Sequence, residues 1–461
     1  MRLLNRREVC GGLALAASVW PRWSSAQTAD SVPLLTAGPV RSQLLGPESP
    51  PTDHWAFGAQ PTILRAKQGQ EFRVRFANAL DDDVWIHFFG VRGPSEMMTV
   101  KIAAHDSAGS EVTFTPPDAG TFWFGPLLSA SKQREMGLKG MFIVEESEPQ
   151  PYQDIPLLFD DWSLGDDGKI EGDFANLDRA AGEGRLGNWF TVNATYKPHI
   201  ALDAEKPARL RLLNVANTRS VKVLLKGVEG SVLARDGQAV WPETLDTGAV
   251  VLAPGQSADV LLTFAQDVVS VALDMFEDVV EVAFLEAGTY GRKTLPLNTR
   301  LPANPLTQLS DVVAPRDIAL AIEGGIKGGL QRAKVGKDVL DLRAMLEQGL
   351  AWSIGGSSGI GSPLLFEAKK DEVLRLAFDN RTAFEQVLYV HGHVWAEWTA
   401  LGAGQSGPQV PPKWVNSLVV PAKTSKSVVM VADNPGTWAI QSLIAERCDA
   451  GLIGSFVVDM P

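Results

Sequence analysis

The side chains best able to bind a redox metal are scarce in this sequence. The chain has six His and two Cys among 461 residues. Imidazole and thiolate groups are the usual protein ligands of copper and zinc. His87 closes the run VWIH, and His391 closes the similar run LYVH, with His393 two residues later. The chain therefore has few candidate metal ligands, and those that lie close in sequence are at the two VWIH and LYVH runs.

The remaining histidines and the thiols form no further cluster. His54, His105 and His199 stand alone in the sequence, and we interpret them as surface or strand residues. Cys448 lies between an arginine and an aspartate, so no imidazole accompanies its sulfur as a blue-copper site would require. We therefore predict no metal site at these four residues.

The N-terminal segment has the features of an export signal. Arg6 and Arg7 precede an apolar run over 9–20, and small residues end the segment at Ala26. Twin arginines are typical of the Tat pathway, with a Sec signal or a retained anchor as alternatives. The apolar run is shorter than the ~20 residues that a membrane span needs. We predict that residues 1–26 are removed near Ala26, leaving a periplasmic protein with no stable membrane anchor.

The charge of the chain limits its partners. Removal of residues 1–26 takes away four Arg and one Glu, which shifts the net charge from −12 to −15. Such a charge repels polyanions, and the sequence shows no concentrated basic stretch. We therefore predict that the protein does not bind nucleic acid. It also keeps one Cys, so no intramolecular disulfide is expected.

A strand motif that recurs three times indicates how the chain is organised. The runs RVRFAN, RLRLLN and RLAFDN end at Asn78, Asn214 and Asn380. Alternating apolar residues predict a half-buried strand, and Asn favours the turn that follows. A length of 461 residues allows about two to four domains. Each copy is therefore expected to mark one domain.

Short strands between Gly, Pro and Asn turns predict antiparallel β-sandwiches with Greek-key connections. A second repeat pairs GTFW with GMFIVE in the first copy, and GTW with GSFVVD in the last, so the outer domains are the more alike. The predicted domains cover 27–148, 149–290 and 315–461, with a proline-containing linker over 291–314.

One helix is predicted in the third domain, over Val335 to Leu350. Leu342, Met345 and Leu346 recur there at steps of three and four residues, which is the spacing of one helix face. The predicted fold is therefore all-β with one short helix.

Several motifs together resemble those of the three-domain multicopper oxidases. They are GLKG at 137–140, DDW at 160–162 and LAPG at 252–255, and the resemblance covers essentially the whole chain after residue 26. It implies that the three sandwiches are cupredoxin-like domains. It also implies four copper-binding motifs, which supply a mononuclear type 1 site and a trinuclear cluster of type 2 and type 3 ions.

When the family's copper motifs are matched to this sequence position by position, two of the copper ligands are retained. His87 matches a type 2 ligand and His391 a type 3 ligand, while His393 matches a framework histidine and Leu452 the axial position of the type 1 copper. The matched ligand positions that hold another residue are Phe89, Gly125, Leu127, Gln386, Tyr389, Gln441, Ser442, Leu443 and Arg447. By the same resemblance, Gln386, Ser442 and Arg447 stand at ligand positions of the type 1 copper.

The replacement at Ser442 matters most, because a type 1 copper needs a cysteine thiolate for electron transfer. We therefore predict no catalytic residue, no cofactor-binding residue and no cofactor. The resemblance also implies that His87 and His391 lie near each other in the fold, so weak residual binding of copper or zinc by His87, His391 and His393 is an alternative.

The functional hypothesis follows from these replacements. The family that this chain resembles includes metal-free, Tat-exported members that support the septal ring in bacterial division. We therefore favour a non-enzymatic scaffold in the periplasm, acting in cell division or envelope stress, with an unidentified envelope protein as its partner. The alternatives are a divergent oxidoreductase of the multicopper-oxidase type and a copper-binding accessory protein for copper tolerance.

Overall fold

The computed structural model describes residues 32–174, 176–245, 248–275, 278–288, 292–307, 315–398 and 412–459. The predicted export signal at 1–26 lies outside these residues. Among the described residues the strands form seven sheets, accompanied by a few short helices. The all-β prediction is confirmed, whereas the domain boundaries stay predictions.

The first group of strands forms two facing sheets, with strand orders β2-β1-β4-β7 and β3-β9-β8-β5-β6. Its elements are β1 (Leu34–Ser42), β2 (Thr52–Phe57), β3 (Ile63–Lys67), β4 (Phe72–Asn78), β5 (Val84–Phe89), α1 (Ser95–Met98), β6 (Thr99–Ile102), β7 (Ser110–Phe114), β8 (Gly120–Pro126), α2 (Ala130–Glu135) and β9 (Gly140–Glu145).

The second group also forms two sheets, with orders β11-β10-β13-β18-β15-β16 and β12-β20-β19-β14-β17. Its elements are β10 (Gln153–Trp162), α3 (Leu177–Ala181), β11 (Trp189–Val192), β12 (His199–Ala201), β13 (Ala208–Asn214), β14 (Val221–Leu225), β15 (Val228–Arg235), β16 (Gln238–Thr244), β17 (Ala249–Leu252), β18 (Ser257–Phe264), β19 (Val268–Asp274) and β20 (Val279–Glu286).

The third group forms sheets of order β24-β21-β26-β31-β28-β29 and β25-β33-β32-β27-β30, together with the β22-β23 hairpin. Its elements are β21 (Arg316–Gly324), β22 (Arg332–Val335), β23 (Asp338–Asp341), α4 (Leu342–Glu347), β24 (Trp352–Ile354), β25 (Glu367–Lys369), β26 (Val373–Asn380), β27 (Gln386–Val390), β28 (Trp395–Glu397), β29 (Trp414–Val415), β30 (Ser417–Val420), β31 (Ser425–Val431), β32 (Gly436–Ser442), α5 (Ala445–Asp449) and β33 (Ile453–Asp459).

The repeated motif occupies the same place in each group. β4, β13 and β26 each lie between one parallel and one antiparallel partner, and each ends at the repeated asparagine. Asn78, Asn214 and Asn380 all accept a hydrogen bond from the backbone N–H two residues later. Each also donates from Nδ2 to carbonyls of two separate segments. The repeat is therefore a buried turn that ties a strand end to its neighbours.

The helix prediction over Val335 to Leu350 is wrong in its extent. Residues 338–341 pair as a strand with residues 332–335, and the helix spans only Leu342–Glu347. Gly336 has φ +57° in the hairpin turn, and the Asp341 side chain caps the helix by accepting from the N–H of Ala344. Turn and cap chemistry thus overrode the helical spacing of the apolar residues.

A separate apolar cluster lies where the three groups of strands meet. It combines Phe89 and Trp123 of the first group, Leu158 and Leu213 of the second and Leu443 of the third. Four of the matched ligand positions, Phe89, Leu127, Tyr389 and Leu443, belong to this cluster. In the described part of the chain, no helix is both long and apolar enough to cross a membrane.

Candidate functional site

The two retained histidines lie together at the junction of the first and third groups of strands. His87 is on β5 and His391 directly follows β27, and their ring centroids are 4.2 Å apart. Both side chains are buried. The fold thus brings together two residues that are 304 positions apart in the sequence, as the resemblance implied.

Each of these histidines already has protein partners. Nε2 of His391 donates to Oε1 of Gln441 over 2.7 Å. Nδ1 of His87 lies 2.7 Å from Oγ1 of Thr99, and its Nε2 lies 3.3 Å from the hydroxyl of Tyr389. Two replaced positions, Tyr389 and Gln441, therefore hydrogen-bond to the retained imidazoles.

Burial keeps both imidazoles neutral. It lowers the pKa of His391 to about 4, and it lowers the pKa of His87 well below its usual range, with the neighbouring His391 and Arg134 adding to the effect. The Tyr389 hydroxyl is also buried, which raises its pKa above the usual value, and it accepts from the N–H of Gly90 over 2.7 Å. These groups form a neutral hydrogen-bonded set at physiological pH.

Aromatic and aliphatic side chains fill the space beside the histidines. The rings of Phe89 and Trp123 stack with centroids 3.7 Å apart and an interplanar angle of 5°. Leu127 and Leu443 belong to the same buried cluster. A Cβ at Gly125, which pairs with His87 across β5 and β8, would lie 3.1 Å from the carbonyl oxygen of Leu138. A histidine at position 125 would therefore require its neighbours to move.

A buried guanidinium group lies against this aromatic stack. The Arg134 side chain, from α2, is 4.9 Å from the ring centroid of Phe89 and 5.0 Å from that of Trp123. Its Nε donates to the carbonyl oxygen of Pro126 over 3.0 Å, and burial lowers its pKa from the usual value. No sequence signal marks Arg134, because it lies outside the four motifs and reaches the site from helix α2.

A second guanidinium group lies at the positions matched to the type 1 copper. Arg447 donates from Nη1 to Oε1 of Gln386 over 3.0 Å and to the carbonyl oxygen of Glu385 over 2.6 Å. The rings of Trp352 and Phe384 each have their centroid 5.1 Å from its guanidinium carbon. Burial lowers its pKa to about 10, so the group stays charged at neutral pH.

The remaining residues of this second site are also engaged within the protein. The hydroxyl of Ser442 accepts from the N–H of Ile444 over 3.1 Å, and Leu452 is fully buried. Gln386 donates from Nε2 to the hydroxyl of Thr382 over 2.9 Å. A guanidinium group, an amide, a hydroxyl and an aliphatic side chain do not make a ligand set for a blue copper, which needs a thiolate and imidazoles.

The other histidines and the cysteine each have contacts of their own. His54 is buried on β2, while His105 and His199 are exposed and lie near Asp81 and Glu286 respectively. His393 has its Nδ1 3.0 Å from the carbonyl oxygen of His391. Burial raises the pKa of the Cys448 thiol to about 12. Within the described ranges, no group of three His, Cys, Asp or Glu residues is arranged to hold a metal ion.

Helix α5 connects all three groups of strands beside these sites. Its Asp449 accepts from the N–H groups of Ala130 and Ser131 over 3.0 and 2.8 Å. Its Glu446 accepts from the hydroxyl of Thr218 over 2.9 Å, and burial raises the pKa of Glu446 to about 7. No sequence signal marks either acid, because both bind segments more than 200 residues away in the sequence.

Comparison with known proteins agrees with this architecture. Models of the family described as "Multicopper oxidase" match residues 58–149, 164–285 and 342–461. The crystal structure of a multi-copper oxidase from Pseudomonas thermotolerans is similar with a TM-score of 0.77 and 25% identity, covering 92% of this chain and 98% of that one. The predicted cupredoxin-like fold is therefore confirmed.

Curated relatives carry two kinds of name. "Multicopper oxidase MmcO" of Mycobacterium tuberculosis is 24% identical over 440 residues, covering 88% of this chain and 82% of that protein. "Cell division protein FtsP" of Edwardsiella tarda is 28% identical over 385 residues, covering 72% of this chain and 78% of that protein. Taken with its sheets and the three family matches, the chain belongs to the multicopper oxidase family.

Proposed function

We propose that this protein works without a redox copper centre, as an exported scaffold that binds a protein partner in the cell envelope. The observation that carries the proposal is the hydrogen bond between Arg447 and Gln386 at the positions matched to the type 1 copper. A charged guanidinium group at this place disfavours a second cation, because like charges repel strongly where water is excluded. Without a type 1 copper the protein would have no acceptor for electrons from a substrate.

Cell division is the role we propose for the scaffold. The support is the similarity to proteins named FtsP, described as cell division proteins, from several bacteria. The twin arginines in the N-terminal segment support export by the Tat pathway, with removal of residues 1–26. A role in envelope stress remains within the same proposal, since both need a protein partner in the periplasm.

A copper-dependent function is the second candidate. His87 and His391 have ring centroids 4.2 Å apart, which is close enough for both imidazoles to face one ion after their hydrogen bonds rearrange. The similarity to MmcO, which is named a multicopper oxidase, favours the same candidate. In this candidate function the protein would be a divergent oxidoreductase, or an accessory protein that binds copper without turnover.

Copper analysis of the exported protein separates the two candidates. Protein produced in copper-supplemented medium would be analysed for bound copper, blue absorption and dioxygen consumption with a phenolic substrate. The proposal expects less than one copper per chain, no blue band and no oxidase activity, with the same values for His391→Gln. Stoichiometric copper that His391→Gln removes, together with dioxygen consumption, would overturn the scaffold proposal.

A deletion strain tests the cellular role. We expect a division or envelope defect under stress that is restored by the wild-type gene and equally by the His87→Gln and His391→Gln variants. Partner capture from the envelope would then identify the bound protein. A deletion strain without any division or envelope defect would contradict the proposed scaffold.

A further inference from the structure

A lysine and an aspartate form a buried pair where the first and second groups of strands meet. Lys139 lies directly before β9, and Asp160 lies on β10. Nζ of Lys139 donates to Oδ1 of Asp160 over 2.7 Å, and both side chains are only 6% exposed. The fold therefore holds an amine and a carboxyl group in contact at a place with little water.

The surroundings of this pair are largely apolar. The ring centroid of Trp162 lies 5.3 Å from Nζ of Lys139, which also reaches the carbonyl oxygen of Val215 at 3.4 Å. Leu158, Trp162 and Val215 line a small cavity together with Lys139 and Asp160. Its volume of about 20 Å³ is enough for one water molecule. A water molecule released at the pair would therefore have a place to go.

Burial disfavours the charged form of the aspartate in this pair. It raises the pKa of Asp160 to about 7, because the loss of hydration outweighs the favourable charge of Lys139. The nearby carboxyl groups of Asp161 and Glu135 add to this rise. Transfer of a proton along the hydrogen bond gives an uncharged amine beside an uncharged carboxylic acid. Burial favours this loss of charge, because desolvating two ions can cost more than their attraction contributes.

We propose that Lys139 and Asp160 condense to an intramolecular isopeptide bond between the first and second groups of strands. Nζ of Lys139 attacks the carboxyl carbon of Asp160 and forms the new C–N bond. The bond from this carbon to its hydroxyl oxygen breaks, and the hydroxyl leaves as water with one hydrogen of the amine. The reaction needs no oxidant and no co-reactant. Contact held by the fold promotes it, because enforced proximity corresponds to effective concentrations of roughly 10⁵–10⁸ M.

The cross-link would do for this protein what a disulfide does in others. Its ends are 21 residues apart in the sequence, so it would close a loop that includes β9 and the connection to β10. Closing a loop stabilises a fold by restricting the unfolded chain. In the described part of the chain Cys448 is the only cysteine, so no disulfide links these residues. This inference does not depend on the proposed scaffold function.

Intact mass spectrometry of the exported protein tests the proposal. The N-terminus would be determined first, so that the mass expected from the sequence is known. We expect the measured mass to be lower by one water molecule, after purification and several days at pH 7. Trypsin should fail to cleave after Lys139, and tandem mass spectrometry should identify a branched peptide that joins Lys139 to Asp160.

Matched controls locate the loss of water. Lys139→Arg and Asp160→Ala should each have the full mass of their sequence. The exposed pair of Lys222 and Asp274, with a distance of 2.8 Å between Nζ and Oδ2, should stay in separate peptides, because both groups are hydrated there. Wild-type protein with its full mass and unlinked peptides would overturn the proposal, whatever the stability of the variants. A loss of water that persists in Lys139→Arg would place the reaction elsewhere and overturn it as well.

Discussion

Arg447 donates to Gln386 over 3.0 Å, so two side chains at positions matched to ligands of one copper ion are bonded directly to each other. The hydrogen bonds continue from Gln386 to the hydroxyl of Thr382 and from there to Oδ1 of Asn380, the repeated asparagine at the end of β26. The site matched to the type 1 copper is thus part of the hydrogen-bonding framework of the third group of strands.

Replacing Arg447 should therefore destabilise the protein. Arg447→Leu leaves the acceptors Gln386 Oε1 and Glu385 O without their buried donor, which should reduce the free energy of unfolding by about 2–4 kcal/mol. Urea denaturation measures this change. The matched change Arg41→Leu, in an exposed ion pair, should alter stability by less than about 1 kcal/mol. If Arg447→Leu and Arg41→Leu changed the free energy of unfolding equally, the buried hydrogen bonds of Arg447 would not stabilise the fold.

The neutral state of His391 should make stability sensitive to acid. Its folded-state pKa of about 4 lies below the ordinary histidine value of 6.5, so the unfolded chain binds the proton first as the pH falls. The free energy of unfolding should fall between about pH 6.5 and pH 4, with about 2–3 kcal/mol of the fall due to this residue.

His391→Gln should remove that part of the acid sensitivity, whereas the exposed His105→Gln should leave it unchanged. Denaturation curves at a series of pH values provide the measurement. An unchanged slope in His391→Gln would be inconsistent with a buried neutral imidazole.

Glu446 should have the opposite pH dependence. Burial raises its pKa from the ordinary glutamate value of 4.5 to about 7, so the folded state holds a proton that the unfolded state releases. Its contribution to stability should decrease as the pH rises from about 4.5 to 7. Glu446→Gln, which keeps an acceptor for Thr218, should be more stable than wild type by about 1–3 kcal/mol at pH 8.

Thermal melts at pH 5 and pH 8 compare the Glu446→Gln variant with wild type. The exposed Glu347→Gln serves as the control and should show no such difference between the two pH values. If Glu446→Gln is less stable than wild type at pH 8, the carboxylate is charged and favourably paired in the folded protein.

The Cys448 thiol should be unreactive in the folded protein. Its sulfur is buried and its pKa is raised to about 12, so the thiolate that reacts with disulfide reagents is absent near neutral pH. Dithionitrobenzoate should modify it only after unfolding in guanidinium. Ser107→Cys, at an exposed loop position, should add one thiol that reacts in the native state. Rapid modification of wild type would contradict the buried position of Cys448.

The all-β class and the three repeated strands follow from local sequence, because alternation of apolar residues and a terminal Asn act locally. The resemblance also correctly implied that His87 and His391 meet. The structure changed the prediction at residues 335–350, where a turn at Gly336 and a cap at Asp341 favour a hairpin and one helical turn over a long helix.

The surroundings of the two sites depend on tertiary contacts. Arg134 reaches the Phe89–Trp123 stack from α2, and at the second site the guanidinium carbon of Arg447 lies 5.1 Å from the ring centroids of both Trp352 and Phe384. No local pattern encodes these contacts. The β22-β23 hairpin likewise depends on strand register, since a shift of one residue would exchange Lys334 and Val335 between its two sides. Local chemistry thus specifies the elements, while burial and register decide which charges they bring together.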